Sequence, residues 1–466
     1  MRLKFNPQTP LEFGPSHLKV TKAYYEKYDS INNILLANPS ILEAFHRDAA
    51  RPLRKAARKR RAQFTSEQLL RALLVMEIEE LTYRATVIRI DDSQFLRRFV
   101  GLYDQPMTDF TNLNKVYKVI RPETWKTING LLGRYARDQE LISGESLRVD
   151  TTAYETNVHY PTDSGLLGDG YRVLSRLISR VRDYDDEVVG FRRLQVRKVK
   201  RVVQQIARIA QHKGKSQRTM KRLYRVLLGR VEAILAWSSD VRAGCQVRLS
   251  AGHYDLMTGL ILNGVLKEMG KFEKRTHLAV HQARRRVLDG EVVPNDEKIF
   301  SLFEPHTELL KRGKAGKPIE FGHMVLLQQV ENKFISDYKV FEKRPSDESL
   351  VGELLERHEK MFGQKPINFT ADKGFYQSRE QLADLRTTIP NVSIAKKGSR
   401  TLEEMEREHD PIFRALQRFR AGIEGTISYL KRCYKMFRCL YRSFTTYCSS
   451  VGSHIFAHNL VVLSRL

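Results

Sequence analysis

The spacing of hydrophobic and polar positions changes several times along the chain. From 1 to 140 it is helical. "TSEQLLRALLVMEIEEL" (65–81) puts Leu69, Leu70, Leu73, Leu74 and Ile78 on one side, and Thr65 stands where an N-cap belongs. "GLYDQPMTDFTNLNKVYKVI" (101–120) predicts a turn, a cap at Thr108 or Thr111, and a short basic helix. Two helices around such a Gly/Pro turn fit a helix-turn-helix, and equally an ordinary bundle with a solvated basic face.

The period then becomes two. In "ESLRVDTTAYETNVHYPTDSGLL" (145–167), Leu147 and Val149 alternate with Arg148 and Asp150, which predicts a strand entering a hairpin and carrying Asp150. Helical spacing returns over 172–242. Val196, Val199, Val203, Ile206 and Ala210 form one seam; Met220, Leu223, Leu227, Val231 and Ile234 form another. "HKGKSQ" (212–217) separates them, so a helical hairpin is expected, with helix continuing through 246–295. Beyond it, 316–332 and 334–345 read as strands, 347–363 as a helix, and 366–376 as a strand ending at Asp372. A helix (378–388), a short strand (391–397) and a helical stretch (409–438) complete the order, which is that of a mixed α/β domain interrupted by a helical module.

Charge adds a partner to this picture. The 466 residues carry 80 Lys and Arg against 54 Asp and Glu, a net +26, which points to a polyanion, nucleic acid first. Residues 172–242 hold 19 basic and 6 acidic residues, so half of the excess lies on the helical module. Arg192, Arg193, Arg197, Lys198, Lys200 and Arg201 are therefore candidate DNA contacts, against the plainer reading of a solvated helix face. A second run, "RPLRKAARKRRAQ" (51–63), has seven basic residues in thirteen. No apolar run approaches the ~20 residues of a membrane span, and "MRLKFNPQTPLEFGPSHLK" has no apolar signal core. The expectation is a cytoplasmic, nucleoid-associated protein with no membrane partner. Cys245, Cys433, Cys439 and Cys448 form no CxxC pair, and free thiols are expected.

Three acids carry the candidate chemistry. Asp150 lies on the first strand, Asp372 at the end of a later one and Glu424 on the late helix. Sites in open α/β sheets gather at the carboxyl ends of strands. Clustered carboxylates need a cation, and oxygen-only ligands suit Mg²⁺ or Mn²⁺. Two such ions can clamp the attacking and leaving oxygens of a phosphodiester. In "FRAGIEGTISYLKR" (419–432), Arg420, Glu424 and Lys431 share one helical face, so Arg420 and Lys431 are candidate phosphate contacts. The alternative is a surface Arg420–Glu424 pair. Gly422 and Gly425 cost helix stability, about 1 kcal/mol each, and close approach of a DNA backbone is one offset. His159 and Asp163 read as hairpin hydrogen-bonding groups before metal-water ligands, and Trp125 and Trp237 as packing residues before base-stacking ones.

The C-terminal part resembles the DDE transposases of bacterial insertion sequences, the group marked by Y-x2-R-x3-E-x6-K. Arg420, Glu424 and Lys431 have that spacing, while Gln417 stands at the tyrosine position. "ADKGFY" (371–376) resembles the second-Asp segment, which also brings in Lys373 as a DNA contact, and "VDTTAYETNVHYPTDSGLL" (149–167) is similar to a first-Asp segment. "FLRRFVGLYDQPMTDFTNLNKVYKVI" (95–120) is like the helical domain that precedes many such cores. The resemblance implies an α/β, ribonuclease-H-like mixed-sheet catalytic core, interrupted by a basic helical insertion and preceded by an all-helical DNA-binding domain. In this sequence the parts fall at 1–140 (helical domain), 141–168 (first part of the core), 169–295 (insertion) and 296–466 (remainder). It implies Asp150, Asp372 and Glu424 as ligands of two Mg²⁺ or Mn²⁺ ions. It also implies cleavage at the ends of an insertion sequence and joining to target, with double-stranded DNA as partner and a homodimer in the synaptic complex. The rival readings are a structure-specific nuclease of the same fold and a transposase-derived DNA-binding protein without strand transfer.

Overall fold

The computed structural model describes residues 18–51, 63–211, 217–311 and 316–466. Most of the basic run at 51–63 and of the 212–217 separator lies outside the described residues. The chain divides into two compact units: the described residues up to Asn157 together with Gly322–Leu466, and Val158–Phe321. These boundaries differ from those drawn on sequence. The N-terminal helices belong with most of the sheet, and the inserted unit runs from 158 to 321 where 169–295 was expected.

Among the described residues, seven helices open the first unit: α1 Lys19–Ala37, α2 Pro39–Ala49, α3 Ser66–Ile78, α4 Tyr83–Asp92, α5 Gln94–Val100, α6 Phe110–Val119 and α7 Pro122–Asp138. Thr65 caps α3 as expected, in a reciprocal capping box with Gln68. The cap of α6 is Asp109, whose carboxylate accepts from the Thr111 amide at 2.6 Å; neither Thr108 nor Thr111 holds that place. Thr108 is buried and accepts from Asn112 instead. The helices on either side of the 101–109 turn, α5 and α6, both pack against α3.

The inserted unit holds α8 Asp163–Arg182, a one-turn helix Asp186–Val189, α9 Val196–Gln211, α10 Gln217–Ser250 and α11 Leu256–Ala283. The expected pair of helices is thus part of a larger bundle, since α8 packs against α9, α10 and α11. Its core is its own, built from residues such as Leu167, Leu174, Ile178, Leu227, Val231, Leu262 and Met269. On α9 the buried seam is Val199, Val202 and Ile206, while Val196 and Ala210 are exposed. The predicted helix over 246–295 stops short, ending in a π-helical turn at Arg284–Asp289.

The strands are β1 Ser146–Thr156, β2 Glu308–Lys311, β3 Ile319–Gln329, β4 Ile335–Val340, β5 Asn368–Ala371, β6 Asn391–Ile394 and β7 Arg438–Cys439. The sheet order is β2-β3-β1-β5-β6, with β4 also on β3 and β7 also on β1. β1, β3 and β4 pair antiparallel, while β5 and β6 run parallel to β1. The antiparallel partner of β1 is β3, so the chain does not turn directly from β1 into a hairpin; the helical unit intervenes. Gly322 on β3 allows this pairing: a Cβ there would lie 2.0 Å from the Tyr154 carbonyl oxygen.

The remaining helices are α12 Val351–Phe362, α13 Arg379–Thr388, α14 Leu402–His409, α15 Pro411–Cys433 and α16 Phe444–Leu463. α16 is buried on nearly every side, as a helix apolar all round should be. It joins the N-terminal helices to the sheet. The Asn129 side chain donates to the Gly452 carbonyl at 3.0 Å, and the Asn459 amide exchanges two bonds with the Ile335 backbone. Among the described residues no helix is long and apolar enough to cross a membrane. Trp125 is buried beside Phe45 and Phe456, and Trp237 is buried with its indole N–H on the Val189 carbonyl; both are packing residues. All four cysteines are free thiols.

Candidate active site

Two of the three acids lie on or just past neighbouring parallel strands, β1 and β5. In the parallel β1–β5 ladder Ser146, Leu147 and Arg148 stand opposite Asn368, Phe369 and Thr370. Each partner is 222 positions further on, and the same offset carries Asp150 to Asp372. The paired positions end at Arg148 and Thr370; Asp372 follows β5 directly, with an extended backbone (φ −76°, ψ 170°). Parallel neighbours are about 4.8 Å apart, and equal levels point to the same face. The Asp372 carboxylate also accepts from the Gly374 amide at 2.7 Å, capping the turn that follows.

That face is covered by α15. The helix starts where Asp410 accepts from the Ile412 and Phe413 amides, with Pro411 at its first position. It packs across β1, β5 and β6. Arg148, two residues before Asp150 and so on the same side of β1, donates to the Gln329 side chain at 2.7 Å and to the Phe419 carbonyl at 2.6 Å. Its guanidinium stands 4.4 Å from the centre of the Phe419 ring. Burial pushes this guanidinium down to about 10. A Cβ on Gly422 would lie 2.3 Å from Arg148 Nη1, so Gly422 is small because Arg148 fills the place of its side chain. Nothing lies within 4 Å of a Cβ on Gly425. The expectation that both glycines admit a DNA backbone is thus corrected at Gly422, where the protein's own arginine is the close neighbour.

Arg420 follows Phe419 directly on the helix. Its Nη2 donates to Glu424 Oε1 at 2.6 Å, and its Nη1 lies 4.0 Å from Asp150 Oδ2. One guanidinium therefore links an acid of the sheet to an acid of the helix. Arg420 and Asp150 side chains are 17% exposed and Glu424 is 60% exposed, so this charge cluster opens to solvent on the helix side. Gln417, at the tyrosine position of the motif, faces the sheet. Its amide donates to the carbonyl and the hydroxyl of Ser393 on β6, both at 3.0 Å.

A further acid comes near. A Cβ on Gly374 would lie 2.8 Å from Asp372 Oδ1 and 3.2 Å from Asp347 Oδ2, so the two carboxylates flank one glycine. The sequence reading passed over Asp347, which sits in a short 3₁₀ turn with no motif around it. It also passed over Arg148, whose alternation with Asp150 was the available signal.

Among the described residues no group of three or more His, Cys, Asp or Glu stands arranged to hold a metal ion. The Glu424 carboxylate is turned to Arg420. The three acids are all oxygen donors, the type that suits a hard cation such as Mg²⁺ or Mn²⁺.

Lys373 is exposed beside Asp372, and Lys431 is half-buried in the last turn of α15. The six candidate cations Arg192, Arg193, Arg197, Lys198, Lys200 and Arg201 are all exposed in the helical unit, on or just before α9. His159 and Asp163 take no part in a hairpin. Asp163 begins α8 and accepts from Gln282 at 2.8 Å and from Arg286 at 2.7 Å, while His159 is exposed, 3.6 Å from Asp169.

Comparison with known protein families, with characterised proteins and with solved structures finds no match to this chain.

Proposed function

We propose that this chain is a DNA transposase of the DDE type, which binds the ends of a mobile element, cleaves phosphodiester bonds there and joins the ends to target DNA. The observation that carries the reading is the parallel β1–β5 register: continued by two residues, its offset sets Asp372, just past the end of β5, level with Asp150, beneath the helix that bears Glu424. Sheet order supports it: an antiparallel β4-β3-β1 meander followed by parallel β5 and β6 is the order expected of a ribonuclease-H-like core. The spacing of Arg420, Glu424 and Lys431 on one exposed-edge helix supports it too.

Asp150, Asp372 and Glu424 are the residues that would hold two Mg²⁺ or Mn²⁺ ions. When bound, such ions activate the attacking hydroxyl or water and stabilise the leaving oxygen. Arg420 and Lys431 hold phosphates that flank the scissile bond, and Lys373 lies at the same edge. The Arg148–Phe419 contact fixes the distance of α15 from β1, and with it the distance of Glu424 from the two aspartates. The N-terminal helices and the basic inserted unit supply further DNA contacts, and a homodimer holds two ends together. Titration calorimetry with Mn²⁺ tests the site: the wild type should bind the ion, and Asp150→Asn or Asp372→Asn should remove the binding without lowering the melting temperature. Unchanged binding in both variants would exclude this metal site.

A further inference from the structure

The inserted unit contains an open cleft of about 880 Å³ between α10 and α11. Its walls carry Arg242 from α10 and Lys267, Lys271, Lys274 and Arg275 from α11. The acid in the wall, Glu273, is buried, and its oxygens accept from Ser238 at 2.7 Å and from Arg242 at 2.9 Å. The Glu273–Arg242 pair is neutral, so the charge left in the cleft is that of Lys267, Lys271, Lys274 and Arg275. The three lysines are exposed, and among the described residues no ion pair engages them. They recur along the helix every ~4.5–6 Å, close to one cation for every one or two nucleotides of a strand that rises ~3.4 Å per charge.

Gly270 lies between these lysines on the cleft wall. A glycine in mid-helix costs about 1 kcal/mol relative to alanine. Nothing in the protein requires it: a Cβ there would meet nothing nearer than Arg242, at 3.9 Å. The glycine leaves the cleft wall open beside Arg242.

We propose that this cleft is a binding track for the phosphate backbone of double-stranded DNA, separate from the metal site and from the Arg192–Arg201 face. The charge is one-sided, the cleft is open, and its neutral polar lining, Ser239, Gln246 and Asn263, can take phosphate or sugar oxygens as hydrogen-bond partners. The proposal rests on the reading of the chain as a DNA-handling enzyme.

Two variants of the full chain test it, with a fluorescent random-sequence DNA duplex as probe and affinity measured against salt. Lys267→Gln/Lys271→Gln/Lys274→Gln should lower the slope of log affinity against log salt by about 2–3 units. Gly270→Leu fills the cleft without changing charge; it should weaken binding on the order of tenfold while the melting temperature stays level or rises. Arg218→Gln/Arg222→Gln/Arg225→Gln removes equal charge from exposed positions of α10 and should lower the slope less. A Gly270→Leu protein that binds as the wild type does, or two triple variants with equal slopes, overturns the track and leaves the enzyme reading standing. A wild type without salt-dependent DNA binding overturns both.

Discussion

Arg148 and Gly422 occupy one space: the guanidinium of the first lies where the side chain of any other residue at the second would be. The strand that carries Asp150 and the helix that carries Glu424 are held together by this fit. Gly422→Ala gains helix propensity, about 1 kcal/mol, yet drives a methyl group into a guanidinium pinned by two hydrogen bonds and a ring. Overpacking of this kind costs about 1–3 kcal/mol. The expected result is a lower melting temperature for Gly422→Ala, largely restored in Arg148→Met/Gly422→Ala. A single variant more stable than the wild type would show that Arg148 moves aside freely.

Arg420 is the resident cation of the acid cluster, 2.6 Å from Glu424 and 4.0 Å from Asp150. A divalent ion must compete with it for those oxygens. Arg420→Gln should therefore tighten Mn²⁺ binding. The pair is partly solvated, so the gain is at most about fivefold, in line with ion pairs of up to ~1 kcal/mol. Mn²⁺ titration followed by electron paramagnetic resonance reads it directly. Equal or weaker affinity would mean that Arg420 supports the ion site and does not compete for it.

The six cations from Arg192 to Arg201 lie outside the seam of Val199, Val202 and Ile206. Replacing all six by Gln should leave the melting temperature nearly unchanged, since exposed substitutions of this kind cost within about 0.5 kcal/mol each. DNA affinity at physiological salt should fall by orders of magnitude, as it does when several phosphate contacts are lost. Intact affinity together with a lost dimer in sedimentation would assign this face to self-association.

Two buried histidines give the first unit a pH limit. Burial pushes His358 and His458 down to about 4 each, from the ordinary imidazole value near 6.5. The unfolded chain binds their protons first as pH falls, so stability is whole above about pH 6.5 and is lost between 6.5 and 4. Each contributes on the order of 3 kcal/mol across that window. Denaturant midpoints measured at pH 7 and pH 5 should differ less in His358→Gln than in the wild type. An equal difference would place the acid sensitivity elsewhere.

Much of this was legible in the sequence, and the physical reasons separate what was from what was not. The period-two run at 147–150 placed Asp150 on a strand, where it is; the strand expected to end at Asp372 ends one residue earlier, at Ala371, and Asp372 caps the turn that follows. Thr65 announced its helix by a cap that acts locally, and Gln68 completes that cap in the fold. The cap at Asp109 was misread because three oxygen-bearing residues lie within four positions, and only geometry tells which one reaches the amide. β2 and β7 are four and two residues long, too short for any period to show. The insertion was visible as charge, but its limits at 158 and 321 depend on contacts within the bundle that no local pattern carries. The role of Gly422 was hidden for the same reason, since Arg148 lies far away in sequence and reaches it only through the fold.

The central claim is that Asp150, Asp372 and Glu424 act as one metal-dependent centre on DNA. Its most direct test is cleavage of a plasmid bearing the gene and its flanking DNA, with Mg²⁺ or Mn²⁺ supplied, by the wild type and by Asp150→Ala, Asp372→Ala and Glu424→Ala. The account predicts metal-dependent strand breaks at the element ends with the wild type and none with any of the three variants, each of which still binds the DNA. Cleavage at a near-normal rate by any one variant, or cleavage by the wild type with all divalent metal chelated, would contradict it.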